Sequence, residues 1–345
     1  MLIIFPATER LIRFLLGQVF ALIVTIVLAA ILVVLTSESD DSLWVRGLAV
    51  TAAATYLYSV IYLCLCPRSG VCGYRTRLIR DNLLLLIPWL IYVSVTGTFS
   101  TAGFLQITAF VVVPLVLVCT ISEDRLNQWN WQDLLAILCI WLPFEAVLLG
   151  DVWLWPEGGG AYPVNTLLAF CLVYGLFVRG RNLPEIGLPL RRPSRNQVLM
   201  LLLVFLAFCA FAIPFGLFTG FIAWAPQKSL LSWGASWIGV FLFIALPEEL
   251  LFRGLIMNYF SHRLRQLPFI GPAYLSLILT SVFFGLTHMN NPPHMDWRFF
   301  IVSSAAGFCY GFVWMTSRNL LLPALLHTMT NYVWLNFFLG GANGN

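Results

Sequence analysis

Charge is what this sequence has least of. Only 10% of its 345 residues are Asp, Glu, Lys or Arg, where a soluble domain of that length carries roughly 25%. With 60% hydrophobic residues and a mean hydropathy of +0.88, the composition excludes an ordinary soluble domain and predicts an integral membrane protein. A basic stripe with interleaved aromatics is also missing. The net charge of +4 comes mostly from arginines bunched between apolar runs, which reports orientation in a lipid bilayer and points to no nucleic-acid partner. There is no disulfide framework: the eight cysteines are scattered mostly singly through apolar runs, where a thiol behaves as a small hydrophobe. Cys64, Cys66 and Cys72 do cluster, at a basic boundary where plain packing and acylation are both open. No internal repeat links the two halves, and no His-Glu-x-x-His is present.

What the sequence has in abundance is long apolar runs. A span of about 20 residues crosses a hydrocarbon core of about 30 Å, and about eleven stretches meet that ruler. They lie near 11–36, 47–66, 82–97, 102–120, 134–150, 161–178, 197–220, 231–250, 271–288, 299–316 and 320–340. The first is too long for a signal peptide and lacks a small-residue cleavage site, so it is expected to be retained. Arginines fall on alternate loops: Arg10 and Arg13, then Arg68, Arg75, Arg77 and Arg80, then Arg179, Arg181, Arg191, Arg192 and Arg195, then Arg263 and Arg265. The intervening loops, "SESDDS", "DVWLWPEGGG" and "NNPPHMDW", are acidic or neutral. A cytoplasmic N-terminus and an external C-terminus follow, although "SEDRLNQWNWQD", on the inner side, carries more acid than base.

The expected fold class is therefore all-α: a polytopic integral membrane helical bundle. Its longest polar, proline-bearing connection divides it. Residues 1–180 form an N-terminal bundle of about six helices, 181–196 a basic cytoplasmic linker, and 197–345 a C-terminal bundle of about five helices that holds every histidine.

Polar residues inside apolar runs need explaining, because an intramembrane ionisable group is costly and function is the default hypothesis for it. The stretch "ALPEELLFRG" places Glu248 and Glu249 just after Pro247. Proline commonly breaks a helix, so the glutamates are expected in the first turn of a new segment, where free N–H groups favour negative charge. Arg253 lies at i+4 from Glu249 and is its natural partner, which leaves Glu248 less neutralised. By themselves these residues fit an interfacial clamp as well as a base. In "FFGLTHMN", Phe284 and His288 share a helix face, and a lone histidine there fits a hydrogen-bonded core residue too. In "LLHTMTNY", His327 and Asn331 share a face and offer two donors, fit either to bridge helices or to stabilise an oxyanion.

Taken in order on successive apolar segments, EELLFR, FGLTH and HTMTN, with the G-x-x-x-G and "RNLLLPALLH" that precede the last, resemble the CPBP family of intramembrane glutamic endopeptidases, which includes the CAAX prenyl proteases of the Ras-converting type. The resemblance covers roughly residues 185–340. It implies that Glu248 and His288 activate a water, that His327 and Asn331 form an oxyanion hole, and that Glu249, Arg253 and Phe284 support the site. It implies an endopeptidase acting on a membrane-associated protein or peptide, with no metal or other cofactor. Elementary chemistry agrees, since peptide hydrolysis needs a base for water, donors for the oxyanion and a proton for the leaving amine.

Other readings use the same residues. Two histidines and a glutamate could make a three-ligand zinc site. Buried Glu and His also build proton relays in transporters, and a catalytically inactive scaffold could retain the motifs. Glu145 reads as interfacial or helix-paired, His294 as a loop residue, His262 as an interfacial cation site, and Gly307 with Gly311 as a close-packing face. Counting at about 1.5 Å per residue puts Glu248 near the cytoplasmic end of its span, His327 about 10 Å in from the same side, and His288 towards the opposite side. A common site then requires a ninth helix that starts later, near Tyr274, or segments broken and tilted at Pro247 and Pro272.

Overall fold

The computed structural model describes residues 74–150, 152–153, 161–181, 183, 185–188, 191–226, 230–265, 271–290 and 295–340. The spans expected at 11–36 and 47–66, the Cys64, Cys66 and Cys72 cluster and His294 lie outside the described residues. The chain divides into two compact units, Met1–Asn182 and Leu183–Asn345.

In the first unit, α1 (Tyr74–Leu83) runs through a tight turn into α2 (Ile87–Thr96), which ends on Gly97 at φ 69°. That left-handed backbone is where glycine carries no steric cost. Helix α3 (Thr101–Cys119) starts on Ser100, whose hydroxyl accepts from Gly103 N at 3.0 Å. Helix α4 (Trp131–Glu145) starts on Asn130, whose N–H donates to Asp133 Oδ2 at 2.7 Å. Both are side-chain solutions to the unpaired amides of a helix start. Helix α5 (Ala161–Val173) widens into a π-helical turn, Tyr174–Gly180.

Arg181 follows directly and is fully buried. Its guanidinium bonds Asp133 and donates from Nε to Leu126 O at 2.8 Å and from Nη2 to Gln128 O at 2.5 Å. Arg181 is an internal clamp, and the acid-rich loop holds one carboxylate that this arginine neutralises within the unit. Glu145 accepts from Trp141 Nε1 at 3.0 Å on its own helix, which is the helix-paired alternative.

The second unit begins with a strap. Glu185 and Gly187 take positive φ (63° and 85°), and the strap backbone meets the helix that carries Asn258 and the turn at residues 319–320. Asn258 Nδ2 donates to Glu185 O at 2.7 Å, Leu320 N to Gly187 O at 3.3 Å, and Asn319 Nδ2 to Arg191 O at 2.6 Å. Helix α6 (Arg195–Phe218) is capped reciprocally by Ser194 and Gln197. Helix α7 spans residues 230–264 as Leu230–Val240, a π turn Phe241–Ala245, Leu246–Glu249, a second π turn Leu250–Met257, and Asn258–Leu264. Helices α8 (Pro272–Thr287), α9 (Trp297–Ser317) and α10 (Leu321–Phe337) complete it. The one departure from all-α among the described residues is a two-stranded antiparallel ribbon. It pairs β1 (Ile222–Trp224) with β2 (Phe338–Gly340), where the chain leaving α6 runs beside the end of α10.

Helices α3, α6 and α9 are long and apolar enough to cross a membrane, while Val164–Gly180 and α8 are shorter apolar helices. Leu199, Leu203 and Leu206 on α6 are exposed, an aliphatic exterior that hydrocarbon solvates and water does not. Pro114, Pro143 and Pro214 sit inside α3, α4 and α6, as membrane helices allow. The described residues are thus almost wholly helical, with three helices of a length and composition that suit a membrane. In the second unit α8 and α9 approach closely: a Cβ on Gly307 would lie 3.2 Å from Phe284 Cβ and from Ser281 Cα. The small-residue face expected at Gly307 and Gly311 is therefore a helix-packing surface.

Candidate active site

Pro247 does not break α7. Ala245 before it (φ −65°, ψ −50°) and Leu250 after it (φ −61°, ψ −45°) keep right-handed helical dihedrals. The π turn ahead of it absorbs the lost bond: Leu246 N–H reaches back to Phe241 O, a wider turn than the α-helical one. The glutamates consequently sit in mid-helix and have no free helix N-terminus to stabilise them. Neutralisation comes from side chains on the same helix and on α10.

Arg253 Nη1 donates to Glu249 Oε1 at 2.9 Å, and Arg253 Nη2 to Gly307 O at 3.0 Å. The same Glu249 oxygen lies 2.9 Å from His327 Nδ1. An oxygen that already accepts from a guanidinium acts as a carboxylate, so Nδ1 of His327 carries the hydrogen and its Nε2 points elsewhere. It points to Glu248, whose Oε2 is 4.0 Å from Nε2, beyond a direct hydrogen bond. Exposure separates the two carboxylates: the Glu248 side chain is 23% exposed, while Glu249 is 0%. Glu248 is the more exposed one, with its His327-facing Oε2 buried, and Glu249 is the internal link between Arg253 and His327.

Phe284 holds the centre together. Its ring lies 4.7 Å under the Arg253 guanidinium, 4.5 Å from the His288 ring and 5.9 Å edge-on from His327. His288 caps the end of α8. Its Nδ1 sits 2.8 Å from Phe284 O; a carbonyl only accepts, so Nδ1 is the donor and Nε2 holds the lone pair. Phe299 covers the ring from α9 at 5.4 Å.

The separation expected from counting along the spans does not hold for Glu248 and His327. The ninth helix starts at Pro272, and α7 is not broken. It continues to Leu264, which places Glu248 in its middle. The run read as ending at residue 250 continues as helix through Arg253, whose side chain is only 1% exposed. Glu249, Arg253 and His327 meet directly, Glu248 lies 4.0 Å from His327, and Phe284 joins His288 to them. Asn331 lies half-buried one turn beyond His327 on α10, and its side chain makes no hydrogen bond with the described residues. Among the described residues no three His, Cys, Asp or Glu converge as a ligand set.

Sequence reasoning missed Tyr310, whose ring is stacked on His327 at 4.7 Å and lies 5.2 Å from the Arg253 guanidinium. It also missed the carbonyl of Gly307. The signal was a large amphipathic ring next to Gly311, in a stretch otherwise read as small-residue packing.

A buried arginine shared between a carboxylate and a backbone carbonyl, and a histidine set between two glutamates, on apolar helices of a length that suits a membrane, is the class this site defines. Residues 229–333, which contain every motif residue from Glu248 to Asn331, match the family model described as type II CAAX prenyl endopeptidase Rce1-like. The resemblance carried by the three motifs holds for that segment, and it is one to peptidases of the CAAX type. No curated protein and no solved structure matches the chain.

Proposed function

We propose that this chain is a multi-pass intramembrane endopeptidase that hydrolyses a peptide bond of a membrane-associated protein or peptide without a metal. The observation that carries the reading is the Glu248–His327–Glu249–Arg253 chain, with Nε2 of His327 4.0 Å from the more exposed carboxylate. On this reading Glu248 takes a proton from water as the oxygen attacks the carbonyl carbon. The lone pair on His288 Nε2 orients that water. The carbonyl oxygen becomes an oxyanion held by Asn331 Nδ2 and His327 Nε2–H. Because Nδ1–H of His327 is committed to Glu249, Nε2 donates only when the ring carries both protons. Collapse breaks the C–N bond, and the amine leaves with the proton that Glu248 had taken.

The wider reading is a chain that crosses the bilayer about eleven times with its N-terminus cytoplasmic. Residues 1–180 form a first bundle of unassigned role, 181–196 a basic linker and 197–345 the catalytic bundle. The test compares protein termini in membranes that hold wild type, Glu248→Gln and His327→Ala. Wild type alone should generate a set of new termini; identical profiles in all three overturn the proposal. Retained cleavage in strong chelator supports the metal-free route, whereas loss reversed by zinc transfers the same residues to a metalloprotease. A solute-transport defect in both variants with unchanged termini favours the proton relay.

A further inference from the structure

We propose that Tyr310 and Thr330 are positioning residues that lock the imidazole of His327, an assignment that rests on the peptidase reading for its consequence but not for its geometry. Tyr310 is 1% exposed, and its ring lies nearly parallel to that of His327, at an interplanar angle of 18° and a centroid separation of 4.7 Å. Its hydroxyl is hydrogen-bonded to Thr330 Oγ1. Thr330 Oγ1 in turn donates to the backbone carbonyl of His327 at 2.8 Å. That carbonyl can only accept, so the single hydroxyl hydrogen of Thr330 is used there, and Tyr310 must be the donor in the bond between them. The result is a closed loop: the backbone of His327, the hydroxyl of Thr330, the hydroxyl of Tyr310, and the Tyr310 ring lying back on the His327 ring.

The loop has a geometrical effect. An imidazole held by one hydrogen bond, here Nδ1 to Glu249 Oε1 at 2.9 Å, still turns about its Cβ–Cγ bond, because that terminal torsion is broad. Turning sweeps the ring edge through the space beside its face, and Tyr310 fills that space. Phe284 meets the same imidazole edge-on at 5.9 Å, so the ring is bounded from two helices. Tyr310 also lies over Arg253 at 5.2 Å and therefore touches both groups that bond Glu249. A small misplacement of such a group costs up to about 100-fold in rate without a matching loss of binding.

The test uses the full chain in lipid nanodiscs and two independent readouts. In cleavage assays on a substrate found by terminus profiling, Tyr310→Leu should lower kcat roughly 10-fold or more with KM within about twofold. Tyr310→Phe, which keeps the ring and loses the tether, should lower it less. Thr330→Val should resemble Tyr310→Phe, and Thr330→Ser should restore wild-type kcat. The second readout is the ¹⁵N spectrum of histidine-labelled protein, with His327 assigned by its loss in His327→Ala. Its nitrogen signals should shift or broaden in Tyr310→Leu and stay in place in Thr330→Ser. An unchanged His327 spectrum in Tyr310→Leu overturns the proposal even if the chain cleaves nothing. Wild-type kcat in Tyr310→Leu, with Glu248→Gln inactive, overturns this inference and leaves the peptidase reading standing.

Discussion

Arg181 in the first unit and Arg253 in the second are both fully buried, and each bonds a fully buried carboxylate, Asp133 and Glu249 respectively. Their surroundings differ. Arg181 bonds Asp133 and the carbonyls of Leu126, Gln128 and Arg125, so that it closes the loop between α3 and α4. Arg253 bonds one carboxylate oxygen and one carbonyl; its Nε and the second oxygen of Glu249 make no hydrogen bond among the described residues. The rest of its surroundings are aromatic faces, Phe284 at 4.7 Å, Tyr310 at 5.2 Å and Phe252 at 5.8 Å. A saturated buried ion pair has no capacity left and serves structure alone. The second pair leaves hydrogen-bonding capacity open and shares its carboxylate with a histidine, the pattern on which the proposed peptidase reading rests.

The largest effects come from removing one partner. Arg181→Met and Arg253→Met each leave a buried carboxylate uncompensated, which costs about 3–5 kcal/mol; thermal unfolding in detergent should fall steeply for both. Removing both partners then separates the pairs. Arg181→Met with Asp133→Leu should recover most of the lost stability and leave cleavage intact. Arg253→Met with Glu249→Leu should recover stability while turnover stays absent, and a cleaving double variant would reduce the second cluster to a clamp. Arg253→Lys keeps the charge but not the fork that spans Glu249 and Gly307. It should cost about 1–2 kcal/mol in unfolding and slow cleavage by more than that equivalent.

The smallest effect lies outside both clusters. Arg298 donates to Asp296 at 2.7 Å from Nη2, and this bond, chiefly, holds the Asp296 carboxyl below the usual carboxylate range. A carboxyl depressed in the folded state stabilises it above the unfolded value of about 4, and that gain disappears as pH falls through the lower folded value. Asp296 also caps α9. Asp296→Ala should therefore cost about 1 kcal/mol near neutral pH, and the gap from wild type should shrink in unfolding measurements carried below about pH 4.

Much of the second unit was legible in the sequence because apolar runs mark helices irrespective of their partners. Helices α6, α8, α9 and α10 lie where the runs lie. The three motifs were legible because ionisable residues inside such runs are rare, two of them coming as polar pairs at i, i+4. What escaped depends on separations the linear pattern does not carry. Arg181 meets a carboxylate 48 residues away, and His327 one 78 residues away. An arginine between apolar runs reads as a loop cation until its partner is known. The full length of helix α7 escaped for the same reason: the run was read as ending at residue 250, although Glu249 and Gly307 let Arg253 stay inside beyond it.

The wide turns of α7 have one more consequence. Each π turn holds more residues than an α turn, so the helix is out of phase with itself on either side of Leu246–Glu249. The faces presented by residues before Phe241 and after Met257 are indexed independently of the face that carries the glutamates. Substitutions that retune how the two ends meet lipid or neighbouring helices leave the azimuth of Glu248 alone. A one-residue deletion inside either turn would let it close as an ordinary α turn and return the residues on its two sides to a single α-helical register.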